Sequence, residues 1–243
     1  MQGLRLVATP ARNSNAAAAG GLCRRASVRP AASAGKSGMV VTIYTMADGK
    51  RIHDDGRRRC GWLGDNPMML AYHDKEWGVP VRHDTRLFGK LVLDGFQAGL
   101  SWAIILRKRA DFLRAFDGFD PERMARYDGR KRRALLADPG IVRNRQKIDS
   151  AIGNARAFLE LREAGVRFGP FLWEFVDGHT KHNAWKSLRR LPAKSRESER
   201  MSKALVERGF HFVGPTICYA FMQAVGMVND HIVTCYRHDE LKR

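Results

Sequence analysis

The segment LVLDGFQAGLSW, residues 91–102, is apolar enough to lie inside a protein, yet it contains one acid, Asp94, and one amide, Gln97. In a continuous helix, Asp94, Gln97 and Trp102 would share one face, because side chains three, four and eight positions apart align. A carboxylate beside an indole ring attracts a planar cation, since the anion and the face of the ring both favour positive charge. The alternative is a core helix in which Asp94 binds backbone amides and Trp102 only packs.

The residues from Arg57 onward have the pattern of a helical protein. Apolar residues recur with a helical period in eight segments, and no long alternating run of β-branched residues competes with them. Asp84 and Ser195 are typical helix N-caps, and Gly165 and Gly209 are typical helix stops. The pattern therefore predicts an all-α domain, with helices over residues 67–77, 84–100, 102–116, 130–137, 143–163, 169–176, 197–208 and 215–227.

The charge balance favours nucleic acid as the partner. The chain has 43 Lys and Arg against 25 Asp and Glu, a net charge of +18 in 243 residues. Such an excess suits an acidic polymer, although a basic protein without such a partner is the alternative. No run of about eighteen apolar residues is present, so we expect no membrane partner. The four cysteines, at 23, 60, 218 and 235, are too scattered for a secreted disulfide scaffold.

Residues 1–56 differ in composition from the rest. Six cations precede the first acid, Asp48, and Ala, Ser and Gly fill the gaps. We predict a disordered tail over 1–56, followed by one domain over 57–243. The tail fits a transit peptide, which implies a mitochondrion or chloroplast, or an upstream start on a bacterial gene whose true start is Met39 or Met46. The lack of a clear amphipathic helix favours the bacterial cytoplasm.

Four residues of the kind that bind soft metals lie at the two ends of the domain. Cys60 and His73 are near its start, and His231 and Cys235, four positions apart, are near its end. Two cysteines and two histidines can complete a closed tetrahedral zinc site. Such a site would join the two ends of the domain. The spacing also arises by chance, so the pattern alone leaves buried thiols and core histidines as the alternative.

The segment ADPGIVRNRQKI, residues 137–148, has the pattern of a hairpin between two helices. Arg143, Arg145 and Lys147 lie in the first turns of the second helix, where cations oppose the helix dipole, which indicates a role other than helix stability. Free backbone N–H groups at such a turn attract phosphate. The pattern resembles a helix-hairpin-helix grip on the DNA backbone, and a solvated basic face is the alternative.

Several long blocks, in order, resemble those of the 3-methyladenine DNA glycosylase I family, the constitutive alkylation-repair glycosylases of bacteria. The similarity runs from about Arg59 to about Tyr236, and residues 1–56 lie outside it. The blocks are RCGW at 59–62, AYHDKEWGVP at 71–80, QAGLSW at 97–102, GIVRNRQKIDSAIGNARAF at 140–158 and SKALVERGFHFVGPTICYAFMQAVGMVNDH at 202–231.

The resemblance implies a helix-hairpin-helix glycosylase fold with one structural Zn²⁺. Its ligands would be Cys60, His73, His231 and Cys235. It also implies hydrolytic release of 3-methyladenine from alkylated double-stranded DNA, which leaves an abasic site. We expect the protein to act as a monomer.

The resemblance further implies a role for particular side chains. Three aromatic residues match the pocket that receives the extruded base: Trp62, Tyr72 and Trp102. Our own hypothesis is that Asp94, at the position of the family's pocket acid, and Gln97 read the polar edge of that base. Gly99 and Leu100 match residues that enter the gap left in the duplex, although ordinary core packing is the alternative for Leu100. Four positions match the DNA-binding hairpin: Gly140, Arg143, Arg145 and Lys147.

The pocket acid departs from the family pattern. Members of the family typically have a glutamate where this chain has Asp94. The loss of one methylene group shortens the reach of the carboxylate by about 1.5 Å, so a direct hydrogen bond to the base could become water-mediated. Two alternatives therefore stay open: a glycosylase of shifted alkylated-base specificity, and a zinc-tied module that binds damaged DNA without cleaving it.

Overall fold

The structure, a computed structural model, describes residues 44–45, 51–53 and 55–242. Most of the predicted tail over 1–56 lies outside these residues. Within the described part, the protein is built mainly from α-helices, which confirms the predicted fold class. No helix in that part is both long and apolar enough to cross a bilayer.

The described chain contains ten α-helices, three short 3₁₀ turns and five two-residue strands. The helices are α1 Pro67–Lys75, α2 Asp84–Gln97, α3 Trp102–Ala115, α4 Pro121–Ala125, α5 Gly129–Ala137, α6 Arg145–Glu163, α7 Phe168–Trp173, α8 Arg196–Val206, α9 Pro215–Ala224 and α10 Tyr236–Glu240. The 3₁₀ turns are Asp117–Phe119, Glu174–Val176 and Leu188–Arg190. The strands are β1 Tyr44–Thr45, β2 Arg51–Ile52, β3 Arg58–Arg59, β4 Lys181–His182 and β5 Val228–Asn229.

The strands form two small sheets beside the helices. Strands β1, β2 and β3 are antiparallel, with Arg51 opposite both Thr45 and Arg59. Strands β4 and β5 are parallel, with Lys181 opposite Val228, so residues distant in sequence lie side by side. The second sheet therefore holds the segment before Asp230 and His231 in place.

Helix α2 lies at the centre of the core. It contacts α3, α6, α7 and α9, and Leu87, Phe88 and Phe96 have at most 1% of their surface exposed. The ring of Phe96 meets that of Phe112 at 4.7 Å, and the ring of Phe88 meets that of Phe158 at 5.2 Å. Burial of a large apolar side chain contributes about 1.5–3 kcal/mol. Side chains at the end of α2 are therefore presented from a rigid element.

The helix predicted over 84–100 ends at Gln97 rather than Leu100. Gly99 has a φ of 75°, which glycine adopts easily, and the chain enters α3 at Trp102. Asp94 and Trp102 therefore lie on two helices, and the prediction that they share a face of one continuous helix was wrong. They nevertheless line one cavity, because α3 turns back beside α2.

Three of the four predicted helix signals are confirmed. Ser195 caps α8 in a reciprocal pair with Ser198, with N–H to Oγ distances of 2.9 and 3.2 Å. Gly165 and Gly209 follow helix ends with positive φ angles. Asp84 instead accepts hydrogen bonds from the N–H groups of Phe168 and Gly169, so it caps α7 across the core rather than its own helix.

Candidate functional site

The four predicted metal ligands converge in the structure. The ligand atoms of Cys60, His73, His231 and Cys235 all lie within 4.8 Å of one another, and all four residues are buried. The Sγ atom of Cys235 lies 3.4 Å from Nδ1 of His231 and 3.5 Å from Nε2 of His73. Residues 231 and 235 are brought together by a turn before α10, not by the helical turn that their spacing predicted.

The inward-facing nitrogen atoms of the two histidines are placed so that both could bind one cation. His73 Nδ1 lies 2.8 Å from a carboxylate oxygen of Asp74, and His231 Nε2 lies 3.1 Å from the carbonyl of Trp77. A neutral imidazole has one N–H group, so these outward bonds leave a lone pair on each inward nitrogen. Those two nitrogens are only 3.1 Å apart. Two lone pairs at this distance repel one another, and a cation bound by both nitrogens would relieve that repulsion.

The donor set fits a tetrahedral metal ion. With metal–sulfur bonds of about 2.3 Å and metal–nitrogen bonds of about 2.0–2.1 Å, ligand atoms of a tetrahedron are about 3.3–3.8 Å apart. Cys60 Sγ lies 3.6 Å from His231 Nδ1, within that range. Hydrogen bonding from Cys60, reinforced by His231 and His73, lowers the pKa of Cys235, which favours the thiolate form that ligates a metal.

Charged residues behind the cluster fix the orientation of His73. Asp74, which binds His73 Nδ1, accepts hydrogen bonds at 2.9 and 3.0 Å from Nε of Arg59. Arg59 is only 3% exposed and also binds Asp55. Outer partners of this kind set the tautomer of a ligating histidine. The arrangement therefore directs Nε2 of His73 towards the cluster.

A cavity of about 200 Å³ adjoins the metal-ligand cluster and contains the five predicted pocket residues. Tyr72 comes from α1, Asp94 and Gln97 from α2, Trp102 from α3, and Trp62 from the segment before α1. Trp77 connects the two sites, because its ring lies 5.1 Å from that of Trp62 and 4.5 Å from that of His231. The other lining residues are Met69, Lys90, Leu191, Ala220, Gln223 and Ala224.

Two polar atoms of the lining residues are buried without a hydrogen-bond partner among the described residues. They are Oδ2 of Asp94, an acceptor, and Nε1 of Trp102, a donor. A buried polar atom left unpaired costs about 1–3 kcal/mol, so such atoms call for a partner. Tyr72 lies beside them, with its ring 5.3 Å from that of Trp102. The arrangement suits a small flat ligand with its own donor and acceptor.

Lys90 is the charged pocket residue that the sequence-based prediction missed. Its ammonium group pairs with Asp94 one helical turn away and lies 4.1 Å from the centre of the Trp102 ring. Burial raises the pKa of Asp94, and the charge of Lys90 only partly opposes this rise. Burial likewise lowers the pKa of Lys90, against the effect of Asp94. The i,i+4 spacing of Lys90 and Asp94 was the signal that could have found it.

The predicted hairpin is present between α5 and α6. A Cβ atom on Gly140 would lie 2.9 Å from the side chains of Asp111 and Asp138, so a larger residue does not fit. Lys108 of α3 donates to the carbonyls of Pro139 and Gly140 at 2.7 and 3.2 Å. Arg143 and Arg145 are exposed beside this turn. The turn is therefore fixed against α3 with two cations free to meet an anion.

Lys147 differs from the other predicted DNA contacts. It is 8% exposed, and its ammonium group donates to the carbonyls of Phe96 and Ala98 at 2.9 and 2.5 Å. The predicted phosphate contact is contradicted by this geometry, because the charge is used inside the protein. Lys147 instead attaches α6 to the link between α2 and α3. That link carries Gly99 and Leu100, and Leu100 is 37% exposed.

These features define a class of protein: a helical protein with a closed four-ligand cluster, an aromatic-lined pocket and a basic hairpin suited to DNA. The sequence model of the protein family described as methyladenine glycosylase matches residues 62–238. This chain belongs to the methyladenine glycosylase family. The resemblance drawn from the sequence blocks is therefore confirmed.

Individual relatives agree with this assignment. DNA-3-methyladenine glycosylase 1 of Escherichia coli (strain K12) is 46% identical over 177 residues, which cover 73% of this chain and 95% of that protein. DNA-3-methyladenine glycosylase of Haemophilus influenzae is 42% identical, with 73% and 96% covered. A crystal structure of a point variant of 3-methyladenine DNA glycosylase I in complex with 3-methyladenine is 31% identical, with a TM-score of 0.71 and 73% and 96% covered.

Proposed function

We propose that this protein is a DNA repair glycosylase that hydrolytically releases 3-methyladenine from alkylated double-stranded DNA and leaves an abasic site. The observation that carries the proposal is the cavity whose lining residues include an unpaired carboxylate oxygen of Asp94 and an unpaired indole N–H of Trp102. Family membership and a relative in complex with 3-methyladenine support the same ligand. The protein acts as a monomer in this proposal.

The chemistry of the substrate explains why the pocket needs few reactive groups. A methyl group on N3 gives the adenine of a nucleotide a positive charge, so the base leaves as a neutral molecule and no acid has to protonate it. The protein has to select the base, hold it outside the DNA duplex and favour the transition state, in which the sugar gains positive charge. Trp102 stacks on the base, and Asp94 and Gln97 contact its polar edge.

The base must leave the duplex before it reaches the cavity. Extrusion costs a few kcal/mol, and less when damage has weakened pairing. Leu100, exposed in the link between α2 and α3, enters the gap that the base leaves. The hairpin at Gly140 holds the neighbouring phosphates, with Arg143 and Arg145 beside its backbone N–H groups. Lys147 joins these two DNA-binding elements, so they meet the duplex as one unit.

Water attacks the sugar, and we assign no side chain to activate it. Asp149 follows the hairpin, but it is 43% exposed and forms an ion pair with Arg132 at 3.1 Å. An exposed paired carboxylate on the helix surface has its charge already compensated. Asp149 is therefore a surface residue in this proposal.

Zn²⁺ would be held by Cys60, His73, His231 and Cys235. A site with four protein ligands is closed, so the ion supplies structural stability rather than a place for substrate. It would fix Trp77 through the carbonyl that binds His231, and through Trp77 the ring of Trp62. The residues of the cluster thereby support one wall of the pocket.

The decisive experiment is base release from methylated duplex DNA. The purified protein is incubated with DNA treated with a methylating agent, and the released bases are separated by chromatography. We expect 3-methyladenine in the soluble fraction and none from untreated DNA. Failure to release any base, with retention of methylated DNA in a binding assay, would establish the damage-binding module instead.

A glycosylase of shifted base specificity is the second candidate. The observation that favours it is the pairing of Asp94 with Lys90, which neutralises the acid inside the pocket. The chromatogram separates the two candidates. Release of another methylated base at a higher rate than 3-methyladenine would establish the shifted specificity.

A further inference from the structure

We propose that Lys90 is a specificity-determining residue. Its ammonium group occupies the part of the pocket that would bind a positively charged base, so the pocket favours bases in their neutral form. The inference deepens the proposed function and rests on it: the methylated base is cationic while attached to the sugar and neutral once released, so an adjacent ammonium group favours the departed base over the attached one. It concerns how the pocket distinguishes a charged base from an uncharged one. Detection of released 3-methyladenine does not answer this question.

The geometry places Lys90 where a cationic base would gain most. Its ammonium group lies 4.1 Å from the centre of the Trp102 ring and bonds to Oδ1 of Asp94. These are the two groups that attract a planar cation: the face of an indole ring and a buried carboxylate. Asp94 is 2% exposed and the Lys90 side chain 16% exposed, so water screens the pair poorly. Both side chains line the same cavity.

The charges around Lys90 leave the pocket close to neutral. Besides Asp94, the charged groups that influence Lys90 are Glu76, which favours its charge, and Arg109, which opposes it. Glu76 and Arg109 form their own ion pair at 2.5 Å, so their effects largely cancel. Asp94 therefore meets an incoming base with its charge already compensated by Lys90.

A second cavity gives the side chain of Lys90 another place to go. Lys90 and Tyr72 line both the base cavity and a neighbouring cavity of about 370 Å³, which Glu76 also lines. A cationic base could stack on Trp102 only after Lys90 had withdrawn towards that side, or after sharing Asp94 with it. A neutral base meets no such repulsion. The ammonium group thus weakens the binding of a positively charged base and leaves that of a neutral base unaffected.

The first test uses the unaltered protein and two ligands that differ in charge. 3-Methyladenine at pH 8 is neutral, whereas 3,9-dimethyladeninium carries a fixed positive charge and places a methyl group where the sugar would be. Their dissociation constants are measured by calorimetry or by quenching of tryptophan fluorescence. We expect the neutral base to bind at least as tightly as the cation. Binding of the cation tenfold more tightly than the neutral base would overturn the proposal.

The second test removes the charge and then restores it. Lys90→Met keeps a flexible chain of similar length without charge, and Lys90→Arg is the matched control that keeps the charge. In Lys90→Met we expect the ratio of the two dissociation constants to shift by about tenfold or more towards the cation, because two unit charges about 4 Å apart repel strongly in a protein interior. In Lys90→Arg the ratio should stay within about twofold of the unaltered protein.

The outcome separates this proposal from the proposed function. An equal loss of affinity for both ligands in Lys90→Met would show that Lys90 only shapes the pocket, and would overturn the proposal. Base release by the unaltered protein would still support the proposed function. If Lys90→Met does not fold, the ratio in the unaltered protein decides. Absence of base release would instead defeat the proposed function.

Discussion

Trp102 joins the two chemical features of the pocket. Its ring lies 5.3 Å from Tyr72 and 4.1 Å from the ammonium group of Lys90, and its indole N–H has no partner among the described residues. The face of the ring suits a stacked base, and the N–H group at its edge suits a separate acceptor. The substitution of Trp102 therefore tests the pocket more directly than that of any other residue.

We expect Trp102→Ala to lower the rate of 3-methyladenine release by about ten- to a hundredfold, because stacking on an aromatic ring contributes about 1–3 kcal/mol per base. The measurement is single-turnover release from methylated duplex DNA. Metal content serves as the control and should not change, since Trp102 does not contact the cluster. An unaltered rate of release would show that Trp102 does not bind the base.

The charge of Asp94 gives a prediction about pH. Burial raises the pKa of Asp94, with Lys90 acting against the rise. The ionised form exists above this pKa, so contact with the base should weaken as pH falls through a value above the usual one for aspartate. We expect Asp94→Asn to lose most activity at neutral pH and to lose the acid limb of the pH–rate profile. Asp94→Glu should retain both.

Single residues differ in how well their sequence revealed them. Asp94 and Trp102 could be predicted as pocket residues because an acid and an indole are unusual in an apolar segment. Lys90 could have been predicted from its i,i+4 relation to Asp94. The direction of the Lys147 ammonium group could not, because it depends on carbonyls 49 and 51 positions away that only the tertiary fold supplies.

In the proposed function, DNA contact and base recognition meet on one element, the link between α2 and α3. It begins where Asp94 and Gln97 end α2 and finishes at Trp102, the first residue of α3. Lys147 of α6 holds its carbonyls, and Lys108 of α3 holds those of the hairpin. These two lysines therefore connect the hairpin to the pocket through side-chain hydrogen bonds.

This link yields a prediction that separates two kinds of cation. Lys147→Met should lower the free energy of unfolding by about 1.5–3 kcal/mol, because hydrogen bonds from a charged donor to two carbonyls are lost. Arg143→Ala should leave the unfolding temperature unchanged. It should weaken binding to duplex DNA and reduce the slope of log affinity against log salt by about 0.9.

Denaturant unfolding and salt-dependent binding provide the two measurements. A loss of stability in Arg143→Ala, or a changed salt slope without a loss of stability in Lys147→Met, would contradict the assignment. The comparison needs both variants, since either residue alone could be a generic surface cation.

Most helices could be predicted because they bury one face and show the corresponding period. Helices α4 and α10 were missed, as each has five residues, too few for a period to be visible. The break after Gln97 was also missed. Gly99 is a common signal for such a break, but the apolar residues on either side continue the helical pattern.

At the scale of the whole molecule, the two ends of the helical domain meet at the cluster of Cys60, His73, His231 and Cys235. It brings the segment before α1 against the segment before α10, and β4 pairs with β5 beside it. The spacing of these residues could not predict this contact, because it depends on the tertiary fold of the long chain segment between them. The family resemblance predicted it, and the geometry now gives it a physical basis.

We expect Cys60→Ser to lower the bound metal per chain and the unfolding temperature by several degrees, because one ligand of a closed site is weakened. Cys218→Ser is the matched control: Cys218 is also buried but lies outside the cluster and donates to the carbonyl of Val213. Its metal content should equal that of the unaltered protein. The measurements are metal analysis and thermal unfolding, and equal metal content in the two variants would refute the zinc site.

Cys60 and His231 lie 171 positions apart, and this separation bears on the order of events at the ribosome. Contacts between distant segments form late, because the entropy of closing a long loop opposes them. A nascent chain that has emerged as far as α6 already has the hairpin but lacks half of the cluster that supports Trp62 and Trp77. Such an intermediate would have its hairpin before the wall of the pocket that Trp62 and Trp77 form is supported.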